Sequence, residues 1–153
     1  MVKNKLESTF SKSIKANKYL YGMKLHNNPL AHQNTPADYL LTNGSKVHLV
    51  ECKQVTCKNG KGRLVHKRLK QMHDLISFAH RFEGFHNSWF CIGFFDNGWS
   101  NSEIYLIPVL KIWNAVNSFG KVSFNRDDMF RLFSDYKIKY ESQTFDLQKL
   151  QRG

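Results

Sequence analysis

Apolar residues recur every four positions near the start of the chain. Leu6, Phe10 and Ile14 stand at i, i+4 and i+8 within KNKLESTFSKSIKANKYLYG, residues 3–22. This spacing lines one face of a helix, and Gly22 is expected to end it. Glu7 falls at the edge of the apolar stripe, whereas Lys12, Lys15 and Lys18 lie away from it. MKLHNNPLAHQNTP reads as a loop from its Asn, Pro and Thr content. The period then changes to two. Apolar runs flank Asn43-Gly44, a dipeptide suited to a two-residue type I′ hairpin because both central positions require positive φ.

Further along, KQVTCKNGKGRLVHKRLK is a Gly- and Lys-rich loop running into a helix over about 66–82, with Leu69, Met72, Leu75, Ile76, Phe78 and Ala79 on its inner side. SWFCIGFF and EIYLIPVL are apolar strands, the second closed by Pro108. PVLKIWNAVNSFG has Pro at the first turn of a helix and Gly120 just past its end. NRDDMFRLFSDY is a short helix with Asn125 as its cap and acids in its first turn, and KIKYE is a last edge strand. The order α-β-β-α-β-β-α-α, without repeats or linkers, predicts one α/β domain over residues 1–153, with a central mixed sheet flanked by helices.

Composition narrows the function. At 153 residues, with 41% hydrophobic and 14% aromatic content, the chain can bury a core and is not a disordered polymer. No apolar run approaches the roughly 20 residues that span a bilayer. The first ten residues lack a signal-peptide core, and no lipidation motif is present. No membrane partner is therefore expected. Cys52, Cys57 and Cys91 are an odd set without zinc-type spacing, which suits a reducing cytoplasm. The net charge of +11 points to a polyanion, nucleic acid first. The excess is uneven: residues 1–80 hold fourteen Lys and Arg against four acids, Glu7, Asp38, Glu51 and Asp74. An acid within a phosphate-attracting surface opposes binding unless it holds a cation that the phosphate also touches.

Two of those acids bracket the hairpin. With Asn43-Gly44 as a two-residue loop, Thr42 faces Ser45 and Asp38 faces Leu49. Leu49, Glu51 and Lys53 then share the face of Asp38, which makes Asp38 and Glu51 diagonal neighbours about 7–8 Å apart at the backbone. Two carboxylates reaching inward from there can share a divalent cation, with Lys53 beside them. Glu7 is the available third carboxylate. Phosphodiester hydrolysis needs an activated water and neutralisation of an anionic transition state, and Mg²⁺ supplies both.

Asp38 followed by Glu51-Cys52-Lys53 on the next strand resembles the PD-(D/E)xK nuclease superfamily. Pro36 stands one residue further from the aspartate than in the superfamily pattern. The preceding helix with a glutamate, the hairpin, the Gln-containing helix KRLKQMHDLISFAHRF and the following apolar strand come in the order seen in Holliday-junction resolvases of the Hjc and RecU type. The resemblance covers residues 3–110, and the tail is similar more loosely. It implies a restriction-endonuclease-like core of αβββαβ order and an Mg²⁺-dependent endonuclease, with Mn²⁺ as a substitute and no small-molecule cofactor. It further implies a homodimer that cuts branched DNA, the four-way junction, by paired symmetric nicks leaving 5′-phosphates and 3′-hydroxyls. By position, Asp38, Glu51, the backbone carbonyl of Cys52 and Glu7 would hold the metal. Lys53 would orient or deprotonate the attacking water or stabilise charge on the phosphorane, and Gln71 would match a helix glutamine near the site. A loop residue before the aspartate also assists in the family, and His32, Gln33 and Thr35 are equal candidates.

The basic run Lys58, Lys61, Arg63, Lys67, Arg68 and Lys70 follows this site directly, and Lys12 and Lys15 lie on the first helix. These are expected to contact backbone phosphates with a strong salt dependence. His66, His73 and His80 recur every seven residues; metal ligation is one reading of that spacing, and a surface or half-buried position is the expected one. Trp89, Phe90, Phe94 and Phe95 are expected in the core and Trp99 in a loop. The alternatives are another nuclease of the superfamily, of restriction or repair type, or a basic DNA-binding module without catalysis. The expected location is the cytoplasm, that of a host if the gene is carried by a phage.

Overall fold

The computed structural model describes residues 5–25, 37–69, 72–81, 87–96, 98–120 and 123–151, with the side chains of 66, 67, 78–81, 87 and 98–101 left aside. Helix α1 (Lys5–Ala16) is followed by strands β1 (Tyr21–Lys24), β2 (Tyr39–Thr42), β3 (Val47–Thr56) and β4 (Arg63–Val65). A 3-10 turn (His66–Leu69) leads into α2 (Met72–Arg81). Strands β5 (Asn87–Asp96) and β6 (Gly98–Pro108), helix α3 (Val109–Phe119), strand β7 (Ser123–Asn125) and helix α4 (Arg126–Phe133) come next. Short elements close the chain: β8 (Lys137–Ile138), β9 (Tyr140–Glu141), β10 (Thr144–Phe145) and α5 (Gln148–Gln151).

Among the described residues the main sheet has six strands in the order β1-β2-β3-β5-β6-β8. It is mixed: β3 pairs parallel with β5 and the other neighbours are antiparallel. The parallel pair is joined by the crossover that carries α2, as parallel strands require. Each face of the sheet buries its own apolar cluster. Leu49, Val55, Phe90, Ile92, Tyr105 and Ile107 pack with Leu69, Met72 and Leu75 around α2 and with Ile112 of α3. Val50, Cys52, Tyr39, Leu41, Cys91 and Leu106 pack on the opposite face with Leu6, Phe10 and Ile14 of α1. The expected architecture, a central mixed sheet between helices, is the one observed.

The hairpin differs from expectation in one respect. Thr42 pairs with Val47, and Tyr39 with Val50, so the loop spans four residues, 43–46. Gly44 has φ +93°, but Asn43 is not among the residues of positive φ, so the turn is not type I′. The Asn43 side chain explains the longer loop, because its Oδ1 accepts from the N–H groups of Ser45 and Lys46, each at 2.8 Å. The register has moved by two residues. An even shift preserves the face that each side chain presents.

Gly22 does not end the first helix. The helix stops at Ala16, and Gly22 lies in β1, on the edge of the sheet. There a Cβ would run into the Leu41 side chain and approach Ile14 Cγ2 at 3.1 Å, so glycine lets the edge strand close over the α1 cluster. The lysine-rich segment after residue 53 is also more ordered than a loop. It extends β3 to Thr56 and then forms a tight hairpin leading to β4, which pairs with β7. Local sequence signals no partner for so short a strand. The helix expected over about 66–82 starts as a 3-10 turn at His66–Leu69, and its α-helical part is Met72–Arg81; at α3 and α4 expectation and structure agree. Pro108 and a left-handed Gly120 bound α3, and Asn125 with Asp128 forms a reciprocal capping box on α4. Within KIKYE, Lys137–Ile138 is the edge strand β8, and Tyr140–Glu141 pairs instead with β10.

Removing the α4 cap gives a direct test of this local structure. Asn125→Ala should lower stability by about 1 kcal/mol, seen as a reduced urea midpoint with an unchanged m-value.

Candidate metal-dependent site

Asp38 stands one step before β2, where the ladder to β3 breaks off. Its N–H donates to the Val50 carbonyl at 3.1 Å, and its Oδ2 accepts from the N–H of Cys52 at 2.8 Å. The backbone and side chain of one aspartate thus grip the two residues on either side of Glu51. Its own carbonyl accepts from Leu25 N–H at 2.7 Å, which ties the start of β2 to the chain leaving β1.

Glu51 is 4% exposed although it carries a carboxyl group. Strand alternation sets it on the face of Leu49 and Val55, next to Phe90 of β5. Burial first, and then a hydrogen bond and charge repulsion from Asp38, push its pKa up to about 9, with Lys53 acting in the opposite direction and Glu7 adding to the rise. Glu7 is raised as well, by burial first and then by Asp38, against the pull of Lys24, whose Nζ lies 3.7 Å from Oε2. Its helix covers the opposite face of the sheet, yet its side chain reaches Asp38 where β2 begins. Lys53 lies two residues beyond Glu51 on the same face, paired in register with Ile92.

The structure therefore brings Asp38 close enough to raise the pKa of both Glu7 and Glu51, with Lys53 and the Cys52 backbone next to Glu51 on β3. Among the described residues no three His, Cys, Asp or Glu side chains enclose a ready-made cation position. The donor set nonetheless fits a hard divalent cation: carboxylate oxygens and a backbone carbonyl, without sulfur or imidazole. A cation there would take over the role of the protons that now relieve the repulsion.

The remaining expected residues are more scattered. Lys58, Lys61 and Arg63 are exposed on the β3–β4 hairpin, whose start lies about 17 Å along β3 from Glu51 at the usual rise per residue. Lys12 and Lys15 are exposed on α1, and Lys12 Nζ donates to Gln143 Oε1 at 2.7 Å. Arg68 is half-buried, and its Nη2 donates to the Gln54 carbonyl at 2.8 Å. Lys70, Gln71, His32, Gln33, Thr35 and Pro36 lie outside the described residues, as do the side chains of Lys67, His66, His80 and Trp99. His73 is exposed, edge-on to the Trp113 ring at 4.9 Å. Phe90, Phe94 and Phe95 are buried in the core. Trp89 is half-buried, donating its indole N–H to His48 Nδ1 at 3.0 Å.

Two residues not singled out from the sequence touch the α1 segment that carries Glu7. The Tyr39 hydroxyl donates to the Glu7 carbonyl at 3.0 Å, and Gln54 Oε1 accepts from Leu6 N–H at 3.0 Å. The available signal was a polar residue, Gln54, at an inward-facing strand position. A separate ion cluster, Arg126 with Asp96 and Glu103 at 2.9 Å each, also gave no signal in the sequence. It borders a cleft of about 770 Å³ between the β3–β4 hairpin and α4, and that cleft includes none of Asp38, Glu51 and Lys53.

The Glu51 environment predicts a pH dependence. Its folded-state pKa of about 9 lies above the ordinary 4.5, so the stability contributed by the neutral carboxyl is full below that ordinary value and is lost as pH rises towards 9. In metal-free protein the urea midpoint should therefore fall across this range more steeply than in Glu51→Gln, and added Mg²⁺ should recover part of the loss at the alkaline end.

No family model matches the chain, and no curated protein matches it. No helix among the described residues is long and apolar enough to cross a membrane. Among solved structures the chain is similar to Hjc of Archaeoglobus fulgidus, a Holliday junction resolvase from an archaeal hyperthermophile. The identity is 16%, 69% of this chain and 70% of that chain are covered, and the TM-score is 0.39. The likeness is remote, and the chemistry rests on the residues themselves.

Proposed function

We propose that the protein is an Mg²⁺-dependent, structure-selective DNA endonuclease that resolves four-way junctions by paired symmetric nicks, acting as a homodimer. One observation carries the reading. In a chain of net charge +11, the Glu7, Asp38 and Glu51 carboxyls meet against a hairpin whose next position on the Glu51 face is Lys53. Lys24 and Lys53 offset part of the charge, yet Glu51 is buried and its pKa and that of Glu7 remain raised, with Asp38 acting on both. Such an arrangement costs folding free energy and is relieved when a cation binds.

Asp38 and Glu51, with the Cys52 carbonyl and Glu7, would hold an Mg²⁺ ion, which would supply a water of lowered pKa and positive charge for a non-bridging phosphate oxygen. Glu51 would have to be ionised to serve as a ligand. Asp38, anchored at Cys52 N–H, keeps its second oxygen directed by that bond. Lys53 sits beside the scissile phosphate, where its ammonium orients the water or offsets charge on the phosphorane. The exposed Lys58, Lys61 and Arg63 on one side and Lys12 and Lys15 on α1 hold the phosphates of the arms. A two-fold dimer sets two such sites against strands of like polarity.

The test is cleavage of a synthetic four-way junction beside linear duplex, with and without Mg²⁺. Wild-type protein should nick the junction symmetrically and leave the duplex intact, and a chelator should abolish cutting. Asp38→Asn, Glu51→Gln and Lys53→Ala should each lower the rate by about 100-fold or more while retaining junction binding. Full turnover by any of the three would refute the assignment. Cutting of linear duplex would favour another nuclease of the superfamily, and binding without any cutting a non-catalytic module. Neutralising Lys58, Lys61 and Arg63 together should weaken binding and flatten the slope of log K against log salt by about 0.9 for each phosphate no longer neutralised.

A further inference from the structure

Strand alternation gives the hairpin two working faces. Asp38, Glu51 and Lys53 share one face. Their chain neighbours Tyr39 and Gln54 point to the other, where α1 lies. Both neighbours bond to the same short piece of α1, on either side of the Glu7 α-carbon. Gln54 Oε1 takes the N–H of Leu6 at 3.0 Å, and the Tyr39 hydroxyl donates to the carbonyl of Glu7 at 3.0 Å. Leu6 lies in the first described turn of α1, and the Gln54 oxygen supplies its amide with a partner. Tyr39 is 2% exposed, its ring lies 5.0 Å from that of Phe10, and its hydroxyl lies 2.6 Å from Ser11 Oγ. It is a rigid arm. Gln54 is fixed at its other end, because its carbonyl accepts from Arg68 Nη2 at 2.8 Å.

We propose that Tyr39 and Gln54 are positioning residues that clamp α1 at Leu6–Glu7 and so fix the Glu7 carboxyl in register with Asp38 and Glu51. The inference deepens the nuclease reading and rests on it. The clamp couples the two faces through single peptide steps: Asp38 to Tyr39, and Lys53 to Gln54. Any sliding of α1 over its apolar bed would carry Glu7 out of the group, and Leu6, Phe10 and Ile14 alone oppose sliding only through non-directional contact. Arg68, which the sequence suggested for phosphate binding, serves here as the outer end of the clamp.

The test uses the full chain with Tyr39→Phe, Gln54→Met and Glu7→Ala, singly and combined. Mn²⁺ affinity is read by electron paramagnetic resonance of the free ion, and junction cleavage is measured alongside. Tyr39→Phe and Gln54→Met should each weaken Mn²⁺ binding by about tenfold, as loss of an outer support does at metal sites. Each should lower kcat by a similar factor with junction KM unchanged. In the Glu7→Ala background neither should have any further effect, because the group they position is gone. Unchanged Mn²⁺ affinity in both single variants, or losses that add to that of Glu7→Ala, would overturn the clamp. A wild-type protein that binds Mn²⁺ yet leaves every junction intact would end the nuclease reading, and the clamp would then stand or fall on the Mn²⁺ cycle alone. A wild-type protein that binds no Mn²⁺ would overturn both.

Discussion

The grip of Asp38 on both neighbours of Glu51 is the constraint from which the rest follows. Its N–H on Val50 and its Oδ2 on Cys52 hold a side-chain carboxyl where a ladder bond would otherwise run. β2 begins at Tyr39, one residue past Asp38, and there Glu7 acts on Asp38 and Glu51 from a helix that packs on the opposite face.

The energetics follow from that placement. Glu51 is 4% exposed and lies near Asp38, which also acts on Glu7; burial and the neighbouring carboxylate raise the pKa of Glu51 and of Glu7. The surrounding core supplies the rigidity. Phe90 and Ile92 flank Glu51 and Lys53 on β5, and the parallel pairing of β3 with β5 runs the length of both strands. Folding therefore works against local electrostatics at this group.

The distinction between the two faces of β3 also explains which residues were legible in the chain. The expectation that Asp38, Glu51 and Lys53 share a face rested on the turn register together with alternation, and the observed register, moved by two residues, keeps them on that face. The loop proved to be four residues long, not two, because Asn43 folds its side chain back onto Ser45 and Lys46. The error was even, so every side chain kept its face; a slip of one residue would have sent Glu51 to the α1 side. Helix α3 and helix α4 were legible for a local reason, since Pro108, Gly120 and Asn125 act within one turn of where they stand. Gly22 misled because a glycine that ends a helix and a glycine that permits close approach look alike without the partner, Leu41.

The amino-acid order by itself determined the periodicities, the caps, the lysine-rich surroundings of a few acids and the side of the strand on which each acid lies, because these depend on neighbours in the chain. Only the tertiary structure decided that Glu7 reaches Asp38, that Tyr39 and Gln54 hold the peptide beneath it, and that β4 finds β7 sixty residues away. Those contacts join residues separated by 32, 48 and about 60 positions. Packing of whole elements sets such distances, and no local pattern encodes them.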